Sequence, residues 1–223
     1  MNLRHETKHE IIKSDMLILR QRLSCIMEKD PHAINGIYEI RSLYFDTPGD
    51  KALREKIDGV GVREKFRIRL YNKDSNYIVL EKKSKIYNLT RKEQAVLSKE
   101  EAEKIAKNEY DFLIEKENPL FRELYLKMKN ENLRAKTVID YTREPYIFRA
   151  GNVRVTMDYN IRTSLSSTDF LNFSSSAVPV CDDAVILEIK WDEFLPDIIK
   201  NAVSLDRGQA FAFSKYAAGR TYI

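Results

Sequence analysis

Three separated stretches of this 223-residue chain alternate apolar and ionic side chains at every second position. Lys65, Arg67 and Arg69 interleave with Phe66, Ile68 and Leu70. Arg154, Thr156 and Asp158 interleave with Val153, Val155 and Met157, and Glu188 and Lys190 with Leu187, Ile189 and Trp191. A β-strand sends successive side chains to opposite faces, so each stretch predicts a strand with one oily and one charged side. One such strand is an ordinary surface strand. Several, spread over the chain and carrying mostly cations, predict a sheet rolled around a charged interior.

The same reading places strands at residues 3–11, 37–45, 62–71, 77–85, 133–143, 146–149, 152–159 and 185–191, with 90–97 as a further candidate. Helices fall between them. Ser14-Asp15 reads as an N-cap before Met16, Leu19, Leu23 and Ile26, ending near residue 28. A short helical piece over 50–57 follows the turn cluster Asp46-Thr47-Pro48-Gly49. Ser98 with Glu101 makes a capping box for a helix to about residue 108. Asn118-Pro119 opens another through Leu120, Leu124 and Met128. Further helices are expected over 196–203 and 211–219, and the Ser-rich stretch 164–176 reads as a flexible loop. No repeat or Gly/Pro-rich linker divides the chain. The expectation is a single α+β domain over residues 1–223: a closed antiparallel β-barrel, or strongly curled sheet, of about eight strands with helices packed outside.

Composition narrows the setting. A hydrophobic fraction of 43% and a charged fraction of 32% describe a globular chain richer in charge than average. No apolar run approaches the roughly 20 residues of a membrane span, and the first residues lack a signal-peptide core. Cys25 and Cys181 stand alone, without metal or redox spacing. These features fit a cytoplasmic protein. The net charge of +4 is modest, so what matters is where the charges sit.

Several chemistries are set aside by their absence. There is no phosphate-binding glycine loop, dinucleotide fingerprint or nucleophile elbow. His5-Glu6-Thr7-Lys8-His9 spells the zinc-protease motif, but that motif needs a helix. On the strand expected here, Glu6 faces away from both histidines. The run from Lys65 to Tyr71 also resembles a single-strand nucleic-acid surface. Stacking, however, needs aromatics beside the cations, and Phe66 lies on the opposite face. Nucleic acid is therefore the less favoured partner.

A polyphosphate reading draws on more positions. The inner-face candidates are Arg4, Glu6 and Lys8; Arg67 and Arg69; Glu81, Lys83 and Lys85; Arg143; Arg154 and Asp158; and Glu188 and Lys190. Arginine forks and lysine ammoniums are the donors a chain of phosphates requires. Carboxylates among them serve either as ligands of a divalent cation or as ion-pair partners that orient the bases. The bland alternative is a set of solvated outer faces laced by cross-strand salt bridges.

In these pieces the chain resembles the VTC domain (the polyphosphate polymerase domain) of the triphosphate tunnel metalloenzyme, or CYTH-like, superfamily. They are Arg4-His5-Glu6-Thr7-Lys8, Ser42-Leu43-Tyr44-Phe45-Asp46-Thr47, the run Lys65 to Tyr71, Leu80-Glu81-Lys82-Lys83, Tyr141-Thr142-Arg143, the run Val153 to Asp158, Leu187-Glu188-Ile189-Lys190 and Phe213-Ser214-Lys215-Tyr216. The resemblance implies an antiparallel tunnel of about eight strands that binds triphosphate or polyphosphate, with Mg or Mn held by glutamate. Lys8, Arg67, Arg69, Lys83, Arg143 and Arg154 match the family's phosphate-binding positions, Glu188 its metal-binding glutamate, and Lys215 a lysine at the tunnel mouth. Lys190 joins the catalytic candidates, with Glu6 and Asp158 as further metal candidates. Hydrolytic branches of the superfamily begin E-x-E-x-K, whereas here Arg4 replaces the first acid. That departure favours a polyphosphate polymerase-type phosphotransferase using ATP or another triphosphate. A tripolyphosphatase and a non-catalytic polyphosphate-binding module stand as alternatives, and a membrane-protein partner is compatible with the first role.

Overall fold

The computed structural model describes residues 4–87, 89–175, 177–180, 183–205 and 213–220. In chain order these form β1 (His5–Ile11), α1 (Lys13–Ile26), β2 (Glu28–Lys29), β3 (Tyr38–Asp46), α2 (Lys51–Ile57), β4 (Val62–Tyr71), β5 (Ile78–Ile86) and β6 (Leu89–Leu97). Next come α3 (Lys99–Ala106), α4 (Pro119–Asn130), β7 (Arg134–Phe148), β8 (Val153–Thr163), β9 (Val178–Pro179), β10 (Val185–Trp191), α5 (Asp197–Val203) and α6 (Lys215–Arg220). Single 3-10 turns lie at Asp111–Glu115 and Ala150–Asn152. Cys181, and residues 211 and 212 of the helix expected at the C-terminal end, fall outside the described residues.

One antiparallel sheet runs in the order β1-β10-β8-β7-β3-β4-β5-β6, with β2 added to β7 and β9 to β8. Its convex side is oily, as the alternation requires. Under α3 and α4, Leu43, Phe66, Ile68, Leu70 and Leu80 pack against Ala102, Ile105, Leu120, Leu124 and Met128. Under α1 and α5, Val153, Val155, Met157, Leu187 and Ile189 pack against Leu19, Leu23 and Ile199. Each fully buried Leu or Ile contributes roughly 1.5–3 kcal/mol, so these two layers fix which face of every strand turns inward.

The expected closed barrel is corrected in one respect. β1 and β6 are the two ends of the sheet, and among the described residues a single antiparallel bridge, Arg4 to Thr90, joins them. β6 is an edge strand studded with Arg91, Lys92 and Glu93, and a charged edge resists ladder pairing. The strands therefore curl almost into a ring with no continuous ladder closing it. Side chains span the seam instead: Lys83 of β5 lies 2.9 Å from Glu6 of β1.

Local signals were followed in some places and overridden in others. The Ser98–Glu101 capping box forms, and Asn118 caps α4 ahead of Pro119. Ser14-Asp15 is not the cap of α1, which starts at Lys13 behind Ile12 with no side-chain cap. At α2 the capping group is the buried Asp46, which accepts from the backbone N–H of Ala52 and Leu53. β7 continues through Glu144-Pro145 where a break was expected. Its pairing to β3 stops at Arg143 and its pairing to β2 begins at Tyr146, so Pro145 falls in the gap where a missing N–H costs little on that edge. The Ser-rich segment is tied down in part: Arg41 donates to the Asn172 carbonyl at 2.7 Å, and Phe170 is buried in the core.

Candidate functional site

The inward faces of eight strands, with α6, line one cavity of about 1070 Å³. Eleven lysine and arginine side chains border it against five carboxylates. That excess of six exceeds the whole chain's net charge of +4, so the rest of the protein is slightly acidic. The positive charge of this sequence is thus concentrated in its interior. Farther along the same inner faces, Ile40, Ile139, Ile161 and Ile186 meet Tyr216 of α6 and close one end with hydrocarbon.

Ion pairs organise the cations around four carboxylates. Glu188 of β10 lies 2.7 Å from Lys8, 2.9 Å from Lys190 and 3.5 Å from Arg143. Glu6 is shared by Lys83 at 2.9 Å, Lys8 at 3.1 Å and Lys190 at 3.8 Å. Glu81 holds Arg67 at 2.6 Å, Arg69 at 3.6 Å and also Lys92. Asp158, wholly buried behind the cavity wall, receives the Arg143 fork through two bonds of 2.7 Å, and Lys215 at 2.5 Å. Arg154 stands apart at the rim, 37% exposed and bonded to Asp30 at 2.7 Å. The eleven catalytic, phosphate-binding and metal candidates therefore meet in or directly behind one cavity, which Arg4 and Glu81 also line, whereas Lys85 lies outside it.

The electrostatics follow from burial and crowding. Burial pushes the Glu188 carboxyl up, but Lys190, Lys8, Arg143 and Lys83 outweigh it and hold Glu188 well below the usual range. Burial and the Glu188 charge push Glu6 up, yet Lys8, Lys83 and Lys190 hold it at about 2. Asp158 is likewise held low against its burial by Arg143 and Lys215. Among the lysines, burial depresses Lys8 but Glu188 and Glu6 more than restore it. Lys83 shares Glu6 with Lys8 and Lys190; burial and the Lys8 charge bring it down to about 7.

Other wall residues were not among the site candidates. Lys65 lies in the same alternate register as Arg67 and Arg69 and faces the cavity above the Tyr44 ring. Lys92 of β6 joins Glu81. Tyr44 accepts a hydrogen bond from Arg67 at 3.1 Å, and Tyr141 accepts one from Arg69 at 2.8 Å. Burial pushes the Tyr44 hydroxyl up, but Arg67, Arg69 and Lys215 bring it below its ordinary value. Strand periodicity puts Lys65 on the ionic side with Arg67 and Arg69, though not among the phosphate ligands; the tyrosines carried no periodic signal, because an inward tyrosine reads as core.

Glu6 and Glu188 converge on one point, the Lys8 ammonium. Two converging carboxylates suit a hard divalent cation that takes its remaining ligands from phosphate and water. Asp158 already engages Arg143 and Lys215 with its two oxygens. Among the described residues, no cluster of three or more Asp, Glu, His or Cys forms a metal cage from protein groups alone. The H-E-x-x-H spelling lies on β1, where His5 stacks on Trp191.

The family model of the VTC domain matches residues 3–223. No curated protein matches the sequence. Among solved structures, a Bacillus halodurans protein named "putative adenylate cyclase" is 13% identical with a TM-score of 0.50, covering 85% of this chain and 80% of its own. The PH1819 protein of Pyrococcus horikoshii is 14% identical with a TM-score of 0.43, covering 90% and 84%. At this identity the Bacillus likeness shows a shared fold. No described helix is long and apolar enough to cross a membrane.

Proposed function

This chain belongs to the VTC domain family, and from that premise we propose that it is a polyphosphate polymerase-type phosphotransferase. A nucleoside triphosphate and the end of a polyphosphate chain meet in the basic cavity. The observation that carries this reading is the concentration of charge: eleven cations against five carboxylates in a chain that is otherwise slightly acidic. A surface laced with ordinary salt bridges would show no such segregation.

In this reading Lys8, Arg67, Arg69, Lys83, Arg143 and Arg154 receive phosphate oxygens, and Lys190 supports Glu188. Arg67 and Arg69 are pre-oriented by Tyr44, Ser42 and Tyr141, so little rotamer entropy is lost when an anion arrives. Lys215 steers the terminal phosphate of the growing chain. One of its oxygens attacks the γ-phosphorus, the bond to the β-bridging oxygen breaks, and the nucleoside diphosphate leaves. Such in-line transfer needs positioning and charge neutralisation more than a side-chain nucleophile. Glu6 and Glu188 are the residues that would hold Mg or Mn, which when bound polarises phosphoryl oxygens and offsets their charge.

Incubation with ATP and Mn, followed by gel and phosphorus NMR analysis, tests the proposal. Long-chain polyphosphate with stoichiometric nucleoside diphosphate is expected. Orthophosphate without polymer would make the protein a hydrolase, and tight tripolyphosphate binding without turnover would make it a binding module.

A further inference from the structure

A second cavity of about 350 Å³ adjoins the first and shares Glu6, Lys8, Lys65, Lys83 and Thr90 with it. Beyond these shared walls it is bordered by Arg63, Lys85 and Lys56. Arg63 and Lys85 are register partners on β4 and β5, and so are Lys65 and Lys83 one step inward. Lys83 is also the register partner of Lys92 on β6. Like charges directly opposite each other destabilise an antiparallel ladder, yet here two cationic rungs stand in succession.

The nearby carboxylates relieve the inner rung in part, where Lys83 meets Glu6 at 2.9 Å. Glu64, which borders this cavity, is taken by Lys82 at 3.0 Å and Lys127 at 2.6 Å. Glu6 is divided among three lysines. Lys65 stands over the Tyr44 ring, and Arg63 donates to the Val60 carbonyl. Burial and the charges of Lys83 and Arg67 push Lys65 well below an ordinary lysine. The line Arg63–Lys65–Arg67–Arg69 runs six residues along one strand face, about 20 Å at strand rise. A triphosphate, with two P–O–P links, is far shorter than that.

We infer that Arg63 and Lys85 form an outer anion subsite that takes the phosphates of a linear polyphosphate lying beyond those seated near Glu188. The inference rests on the phosphate-binding reading of the main cavity. It makes the ligand a chain that leaves the cavity past β4 and β5, and it explains why repelling rungs are built into the ladder.

Calorimetric titration of the full chain with tripolyphosphate and with long-chain polyphosphate tests it, comparing wild type with the double variant Arg63→Gln/Lys85→Gln. A long chain offers many binding registers, so the variant comparison decides rather than the wild type's preference. The double variant should bind long-chain polyphosphate about fivefold more weakly while its tripolyphosphate affinity stays within about twofold. Unchanged long-chain affinity, or equal loss for both ligands, would overturn the subsite. Failure of the wild type to bind tripolyphosphate would instead remove the reading of the main cavity, and the subsite with it. Thermal melting checks the fold: relief of the Arg63–Lys85 repulsion should leave the empty variant at least as stable as wild type.

Discussion

Lys8 and Glu188 are register partners on β1 and β10, and their side chains meet at 2.7 Å inside the cavity. The pair ties the first strand to the tenth and keeps the central carboxylate ionised while no phosphate is present. It also sets Glu188 at the point where four cations converge.

Glu188→Gln therefore has two consequences. Turnover with Mn and ATP should fall by on the order of 10²-fold or more, because a residue that would hold the charge-offsetting divalent cation is lost. The empty protein should lose about 3 kcal/mol in chemical denaturation, since Lys8, Lys190 and Arg143 are left around a neutral amide. Normal activity in this variant would remove Glu188 from the mechanism.

Lys83 makes phosphate binding sensitive to pH. Its folded value is about 7 against an ordinary 10.5, so between those limits the empty folded protein carries fewer protons than the unfolded chain. This group's penalty on stability is thus largest below pH 7 and fades as pH rises toward 10.5. A bound polyanion favours the charged ammonium. Tripolyphosphate binding should take up protons above about pH 7 and weaken from pH 7 to 9. Calorimetry in buffers of different ionisation enthalpy measures the uptake, and Lys83→Gln should reduce it, leaving the share of Lys65, which is also held low.

Asp158→Asn removes the one carboxylate that both Arg143 and Lys215 use. A loss of about 3–5 kcal/mol is expected in the empty protein. Tripolyphosphate should restore more melting temperature to this variant than it adds to wild type, because the anion supplies the missing counter-charge. Equal shifts would mean that the phosphates do not reach Arg143 or Lys215.

Tyr216 donates to buried Asp46 at 2.7 Å and anchors α6, the helix that begins with Lys215. Tyr216→Phe should cost about 1 kcal/mol. If α6 positions Lys215 for the attacking phosphate, the variant should raise the KM for a polyphosphate primer more than the KM for ATP. Equal changes would reduce Tyr216 to a structural role.

The inner face was legible because its period is two. Arg67 and Arg69 against Phe66, Ile68 and Leu70, or Glu188 and Lys190 against Leu187 and Ile189, declare opposite faces without any tertiary information. Pairing across distance was not legible. Nothing local says that Asp158 accepts from Lys215, 57 positions away, or that Asp30 meets Arg154 at the rim. The continuity of β7 past Pro145 was hidden for the same reason, since it depends on where β3 ends and β2 begins. The apolar end under α6 was missed because Ile139 and Ile186 share their faces with Arg143 and Glu188, and alternation alone cannot grade one face along its length.

The account depends most on the ionic faces of the strands forming a receptor for linked phosphates. Titration of tripolyphosphate into wild-type protein and into Arg67→Ala/Arg143→Ala tests this directly. Saturable one-to-one binding by wild type, weakened about 100-fold or more in the variant, is the expected result. No measurable binding by wild type at low ionic strength, or equal affinity in both proteins, would contradict it.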